Sequence, residues 1–217
     1  MSATRVLGWL AVAGLGAGLV MAFGVAPREI TQGNVQRIMY VHVPAVWVAY
    51  LAFLVVCGAS VVYLVRRSAT ADTLAAACTE VGVLFLGINI VTGAIWGKPT
   101  WGAWWTWDAR LTSVSVVFLM YVGYLLLRRM TDDPERGARL SAVLGVLAAP
   151  SIYLVHTSVY WWRTLHQPPS LLKAGSATMP AVFWLAILVN FVAFALLAAH
   201  FVGRRVRLLA REREAHA

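Results

Sequence analysis

The stretch TEVGVLFLGINIVTGAIWGKPTWGAWWTWD, residues 79–108, decides the fold. It opens with an apolar run, about residues 79–96, long enough to approach the thickness of a bilayer core. It ends in Trp101, Trp104, Trp105 and Trp107, with Asp108 last. A soluble core does not use tryptophan this way, because each buried indole N–H needs a partner. At a membrane surface the apolar ring faces and the polar N–H edge are both satisfied. If the segment is helical, Trp101, Trp104, Trp105 and Asp108 fall at i, i+3, i+4 and i+7 on one face, making a flat aromatic shelf with an acid at its end. Such a shelf suits a large, planar, apolar ligand that also carries charge. An interfacial tryptophan belt that only sets the depth of a span is the equally good alternative.

Composition bears out the membrane reading. The 217-residue chain is 60% hydrophobic and 12% charged, where soluble domains carry roughly 25% charged residues. The net charge of +9 is not spread as a nucleic-acid-binding face requires, since the basic residues cluster after apolar runs as topology signals do. No CxxC, CxxCH or spaced Cys/His zinc pattern is present, and Cys57 and Cys78 read as packing residues within or beside spans.

Taken in order, the first apolar run covers 6–26, with Gly14 and Gly18 spaced for close helix packing. Its length, and Pro27 directly after Ala26, favour a retained span over a cleaved signal peptide. A mixed segment, 27–43, leads to His42-Val43-Pro44, and Pro44 suits the first turn of a helix over about 44–64. His42 is then expected just outside that helix, at the water boundary. The third span, about 79–96, begins near Glu80, read as an interfacial or helix-start acid; Asn89 and Thr92 are polar at depth and expected to face other helices. Spans follow at about 110–127, 140–160 and 179–203, and a basic tail closes the chain. The expected fold class is therefore all-α: a polytopic membrane protein of six transmembrane helices in one integral-membrane unit, 1–217, with a Trp-rich outer segment at 97–112.

Six spans put both termini on one side. The loops and tails of that side carry twelve Arg and Lys residues against six on the other, so the termini are expected to be cytoplasmic. The Trp segment, His42 and His166 then all fall on the outer face. Two imidazoles at the outer ends of different helices can reach both axial positions of one planar metal macrocycle, and tryptophans can cover its face. Haem needs such parts: nitrogen ligands, a flat apolar surface and polar groups for its propionates. Arg110, Arg163 and Lys173 share that side. His156 is a weaker candidate, and His200 lies near the inner end of the sixth span, about 30 Å away. Asp108 caps the fourth span, orients a propionate-side or partner network, or does both.

At these residues a resemblance is plain. WGKPTWGAWWTWDARLTS is similar to the WWD signature of haem-handling membrane proteins, and RIMYVHVPAVW, WWRTLHQP and EVGVLF resemble the flanking segments of the cytochrome c maturation protein CcmC (haem exporter protein C) family. The likeness runs over nearly the whole chain. It implies haem b bound at the outer face of the cell inner membrane, with His42 and His166 as axial ligands. It implies a platform of Trp101, Gly102, Trp104, Trp105, Trp107 and Asp108, and delivery to the haem chaperone CcmE. It also implies association with the ABC transporter subunits CcmA and CcmB and the small protein CcmD, and no catalytic residues. For LLKAGSATMP, after His166, no role carries over.

Three other readings make different demands on the sequence. A transport permease calls for ionisable residues or broken helices at mid-depth, and the spans hold little beyond Asn89. A b-type electron-transfer cytochrome calls for His pairs within helices at matching depth. A larger cytochrome assembly synthetase shares the Trp motif but has more spans. No GxxxxGK[ST] loop occurs, so any ATP dependence belongs to another subunit.

Overall fold

The computed structural model describes residues 3–166 and 179–215. Lys173 and His216 lie outside the described residues. Among those described, all regular elements are helical, and six helices are long and apolar enough to cross a membrane. Helix α1 (Ala3–Leu19) continues through a π-helical turn (Val20–Val25), and a 3₁₀ turn (Val35–Ile38) leads into α2 (Met39–Arg66). Then come α3 (Ala69–Trp101), α4 (Ala109–Met130), α5 (Pro134–Trp161) and α6 (Ala181–Ala215).

Local chemistry explains where these helices stop and start. Arg67, in the left-handed region at φ +53°, ends α2 by donating its N–H to Tyr63 O at 2.8 Å, and the Ser68 hydroxyl accepts from Ala71 N at 3.3 Å to begin α3. On the other side of the bilayer, Gly102 at φ +81° ends α3, its N–H bonded to Lys98 O at 3.0 Å. Asp133 and Pro134 start α5 as cap and first helical residue.

Several boundaries differ from the sequence expectation. Helix α2 begins at Met39, not at Pro44, so His42 lies inside the helix rather than outside it. The 3₁₀ turn supplies the preceding turn, and α2 runs on through a proline that cannot donate to Tyr40 O. Helix α3 begins a further ten residues before the expected start at 79, which places Glu80 well within it. There Glu80 pairs with Arg205 of α6 at 2.6 Å. The basic tail is not a separate segment: α6 continues through it, and Arg213 with Arg128 grips the buried carboxylate of Asp72, at 2.6 and 2.5 Å. The extensions of α3 and α6, at the end of the bundle opposite Gly102, are thus joined by ion pairs that give each of these acids a partner.

The core is built around α2, which packs on α3, α5 and α6. Phe53 stacks on Tyr121 of α4 with ring centroids 3.6 Å apart. Helix α1 lies along α6, as the small-residue spacing predicts. A Cβ at Gly14 would come 3.1 Å from the Ala193 Cβ, one at Gly18 would strike Asn190, and Asn190 donates to Gly18 O at 3.2 Å. Cys57 and Cys78 are unpaired and sit within α2 and α3.

The orientation is directly testable. In a Cys57→Ala, Cys78→Ala background, a membrane-impermeant maleimide should label Thr100→Cys in intact cells and Asp132→Cys only after the membrane is opened. The reverse pattern would invert the topology.

Candidate functional site

The Trp segment is not the helical shelf that its spacing permits. Gly102 turns the chain out of α3, and residues 102–108 run without helix to Asp108, where α4 begins. The tryptophans consequently diverge. Trp104 and Trp107 are 58% and 79% exposed, whereas Trp101 and Trp105 are half-buried. Trp105 meets the Trp107 ring edge-on at 5.8 Å and lines a cleft beneath it.

That cleft brings the two predicted histidines together. It is lined by His42, Asn89, Trp105, Arg110 and His166 among others, and its free space of about 40 Å³ is well below the roughly 300–1,000 Å³ of small-molecule sites, so a large ligand requires the lining to open. His42 enters from α2 against α3. Its Nδ1 is 3.2 Å from Thr92 Oγ1, and the Asn89 side-chain nitrogen is 3.2 Å from each ring nitrogen. A Cβ at Gly93 would stand 2.9 Å from the imidazole Cε1, so only glycine leaves the ring its place. Trp96 packs edge-on to His42 at 5.7 Å, and its indole N–H is held by Gln32 Oε1 at 2.8 Å.

His166 arrives from the other side, beyond the end of α5. Asp108 positions it. One carboxylate oxygen accepts from Leu111 N at 2.9 Å and caps α4. The other accepts from the Thr164 hydroxyl at 2.9 Å and from Leu165 N at 3.1 Å. Asp108 is thus the expected cap of α4 and also a tether for the His166 segment, which the sequence did not suggest. The His166 ring packs on Trp101 with centroids 4.8 Å apart. Burial, and then the nearby Arg110 charge, pull its imidazole down to about 4, with Asp108 acting the other way. It is neutral near pH 7 and free to offer a lone pair. Burial alone would raise the Asp108 carboxyl, but the hydrogen bonds from Leu111, Thr164 and Leu165, with His166 nearby, hold it below the usual carboxylate range.

The cleft also holds polar atoms that protein does not satisfy. Among the described residues, the buried Trp105 Nε1 and His166 Nδ1 have no hydrogen-bond partner, and Arg110 forms no ion pair. No group of three or more His, Cys, Asp or Glu converges among the described residues to hold a bare ion. Two imidazoles, a cation and an indole donor around an aromatic cleft suit instead a metal whose remaining positions are filled by a flat, carboxylate-bearing macrocycle. The residues present fit haem on that chemistry.

Sequence reasoning singled out Arg110, Asn89 and Thr92 without assigning them to the site, and it missed Gly93 and Trp96, which pack against His42. It left His156 structural, and that side chain is exposed on α5, away from the cleft. His200 bonds Thr4 O at 2.7 Å at the opposite end of the bundle.

Comparison with known proteins identifies the family. The family model described as CcmC, heme exporter protein C, matches residues 1–217. The chain is 41% identical over 214 residues to a protein named heme exporter protein C from Bradyrhizobium diazoefficiens, covering 95% of this chain and 80% of that protein. It is 40% identical over 162 residues to the protein of the same name from Escherichia coli K12, covering 73% and 66%. A protein of Marchantia polymorpha, named as a cytochrome c biosynthesis ccmC-like mitochondrial protein, is 36% identical over 159 residues, covering 73% and 67%.

The Asp108 tether makes a specific prediction. Asp108→Ala should speed hydrogen exchange at residues 162–166 and at the first turn of α4 together, at a cost of about 1–2 kcal/mol for the lost cap. Unchanged exchange at 162–166, measured by mass spectrometry, would contradict the tether.

Proposed function

The chain belongs to the heme exporter protein C family, and from that footing we propose that it holds haem b in the outer-face cleft and passes it on. His42 and His166 serve as the axial ligands. The observation that carries this reading is their convergence on one cleft from separate parts of the chain. Neutral imidazole is the form that binds iron, and burial favours that form. Haem supplies the iron and the ring; the protein supplies the two nitrogens, the apolar cover and the counter-charge.

The remaining residues divide the work. Trp101 and Trp105 cover the ring, while the exposed Trp104 and Trp107 present an aromatic rim to a docking partner. Gly102 lets the chain leave α3, and Asp108 holds the His166 segment down. Arg110 pairs with a propionate, and Trp105 Nε1 donates to a polar edge of the ligand. The partner at the rim is the haem chaperone CcmE, with CcmA, CcmB and CcmD as the surrounding transporter assembly in the cell inner membrane. Residues 1–217 act as one haem-handling unit, with 97–112 as its working segment. No residue makes or breaks a bond here, so the role is binding and handover within c-type cytochrome biogenesis. One ligand lies inside a span and the other in a loop, unlike the matched helical pairs of a b-type electron carrier.

The detergent-purified protein is expected to show a six-coordinate, low-spin haem spectrum. His42→Ala and His166→Ala should each abolish that signature, and Arg110→Gln should weaken hemin binding roughly tenfold by removing a charge-assisted contact. Native spectra in both histidine variants would overturn the ligand assignment. Trp104→Ala should leave the fold and the spectrum in place and impair transfer to the chaperone.

A further inference from the structure

The two torsions of a histidine side chain are unequal. The first sits in a staggered well, but the second, which turns the imidazole plane, is intrinsically soft. Neighbouring groups have to set that plane if His42 is to meet a ligand the same way each time. Helix α3 supplies two of them. A Cβ at Gly93 would stand 2.9 Å from the imidazole Cε1, so the ring lies directly against that residue. Trp96 stands at 82° to the imidazole with centroids 5.7 Å apart, within the T-shaped range of aromatic pairs.

The indole plane is fixed in turn from outside α3. Trp96 Nε1–H donates to Gln32 Oε1 at 2.8 Å. Gln32 sits on a turn built to hold it. Glu29 O accepts from Gly33 N at 2.9 Å, and Gly33 takes φ +59°, which favours glycine. One Glu29 carboxylate oxygen accepts from the backbone N–H groups of Thr31 and Gln32. Further on, the Arg37 guanidinium donates to the Ala22 and Ala26 carbonyl oxygens and lies 5.5 Å over the Phe23 ring. A cation is well placed at the carbonyl end of a helix. The connection between α1 and α2 is therefore anchored to α1 through Arg37 and to α3 through Gln32.

We propose that Gln32 is a positioning residue for His42, acting through Trp96 to fix the plane of the imidazole. The inference rests on His42 being an iron ligand. With the Gln32 acceptor removed, a part-buried indole donor loses its partner, and the indole is free to turn. The group that bounds the imidazole then moves with it. Partners that orient a metal-bound histidine usually bond its second ring nitrogen; here the orienting contact is aromatic, and the hydrogen bond lies one residue further out.

Two measurements on the hemin-loaded protein in detergent test this. One is the low-spin electron paramagnetic resonance signal, whose g values depend on how the axial-ligand planes are turned. The other is the rate of hemin release to excess apomyoglobin. Gln32→Leu should shift the g values and speed release about fivefold, the size expected for one lost hydrogen bond. Gln32→Glu keeps an acceptor and should keep the native g values. Trp96→Phe, which lacks the N–H, should shift them, and Gln32→Leu should add nothing in that background. A bond that only ties down the loop would give a different result: Gln32→Leu would speed hydrogen exchange at residues 27–38 of the hemin-free protein and leave g values and release native. That outcome, or a Gln32→Glu signal matching Gln32→Leu, would overturn the proposal. If Gln32→Leu assembles poorly, Trp96→Phe carries the test, and native g values there overturn it equally. A native signal in His42→Ala would instead remove the ligand assignment, and this inference with it.

Discussion

The cleft that joins His42 and His166 hangs on the carboxylate of Asp108. One oxygen starts α4, and the other takes two donors from the segment that carries His166. Residues 164–166 lie beyond the end of α5 in no regular structure, so nothing else in the backbone fixes their height over the cleft. A single ionised side chain accepting three hydrogen bonds gives the loop the precision that a helix gives His42. The two histidines therefore reach one cleft by different physical means: one by helix packing, the other by a tether.

The membrane imposes the second constraint. Polar groups inside the bundle must find partners within it, and this chain satisfies them in ways that also shape the site. Thr92 and Asn89 close on His42. Trp96, packed on His42, closes on Gln32 from the α1–α2 connection and ties that loop to α3. At the other end, Asp72 and Glu80 hold arginines of α4 and α6. Among the described residues, two of the buried polar atoms without a partner, Trp105 Nε1 and His166 Nδ1, line the cleft; others, such as the Ser60, Tyr121 and Tyr124 hydroxyls, lie elsewhere in the bundle.

Much of this was legible in the sequence, for identifiable reasons. Six spans follow from apolar runs, because hydrophobic length against bilayer thickness is a one-dimensional property. Asp108 reads as a cap from its place before ARLTS, and Gly14 and Gly18 read as a packing face. Other features depend on pairing across the fold. The Asp108 tether joins residues 56 and 57 positions apart, and the Asn89–His42 contact spans 47; no local pattern encodes either. The helical Trp shelf failed for a reason the sequence did hold: Gly102 directly after an apolar run is a helix-stop residue. Spacing of the indoles was weighed above it. Placing His42 outside its helix came from reading Pro44 as a first-turn residue, when the preceding 3₁₀ turn lets the helix start earlier.

The measurement that bears most directly on the central claim is pulsed electron paramagnetic resonance of the ferric, hemin-loaded protein made with ¹⁵N-histidine. Two strongly coupled imidazole nitrogens on the iron are expected, with one lost in His42→Ala and the other in His166→Ala. A single coupled histidine nitrogen, or two that survive both substitutions, would show that these residues do not share one iron.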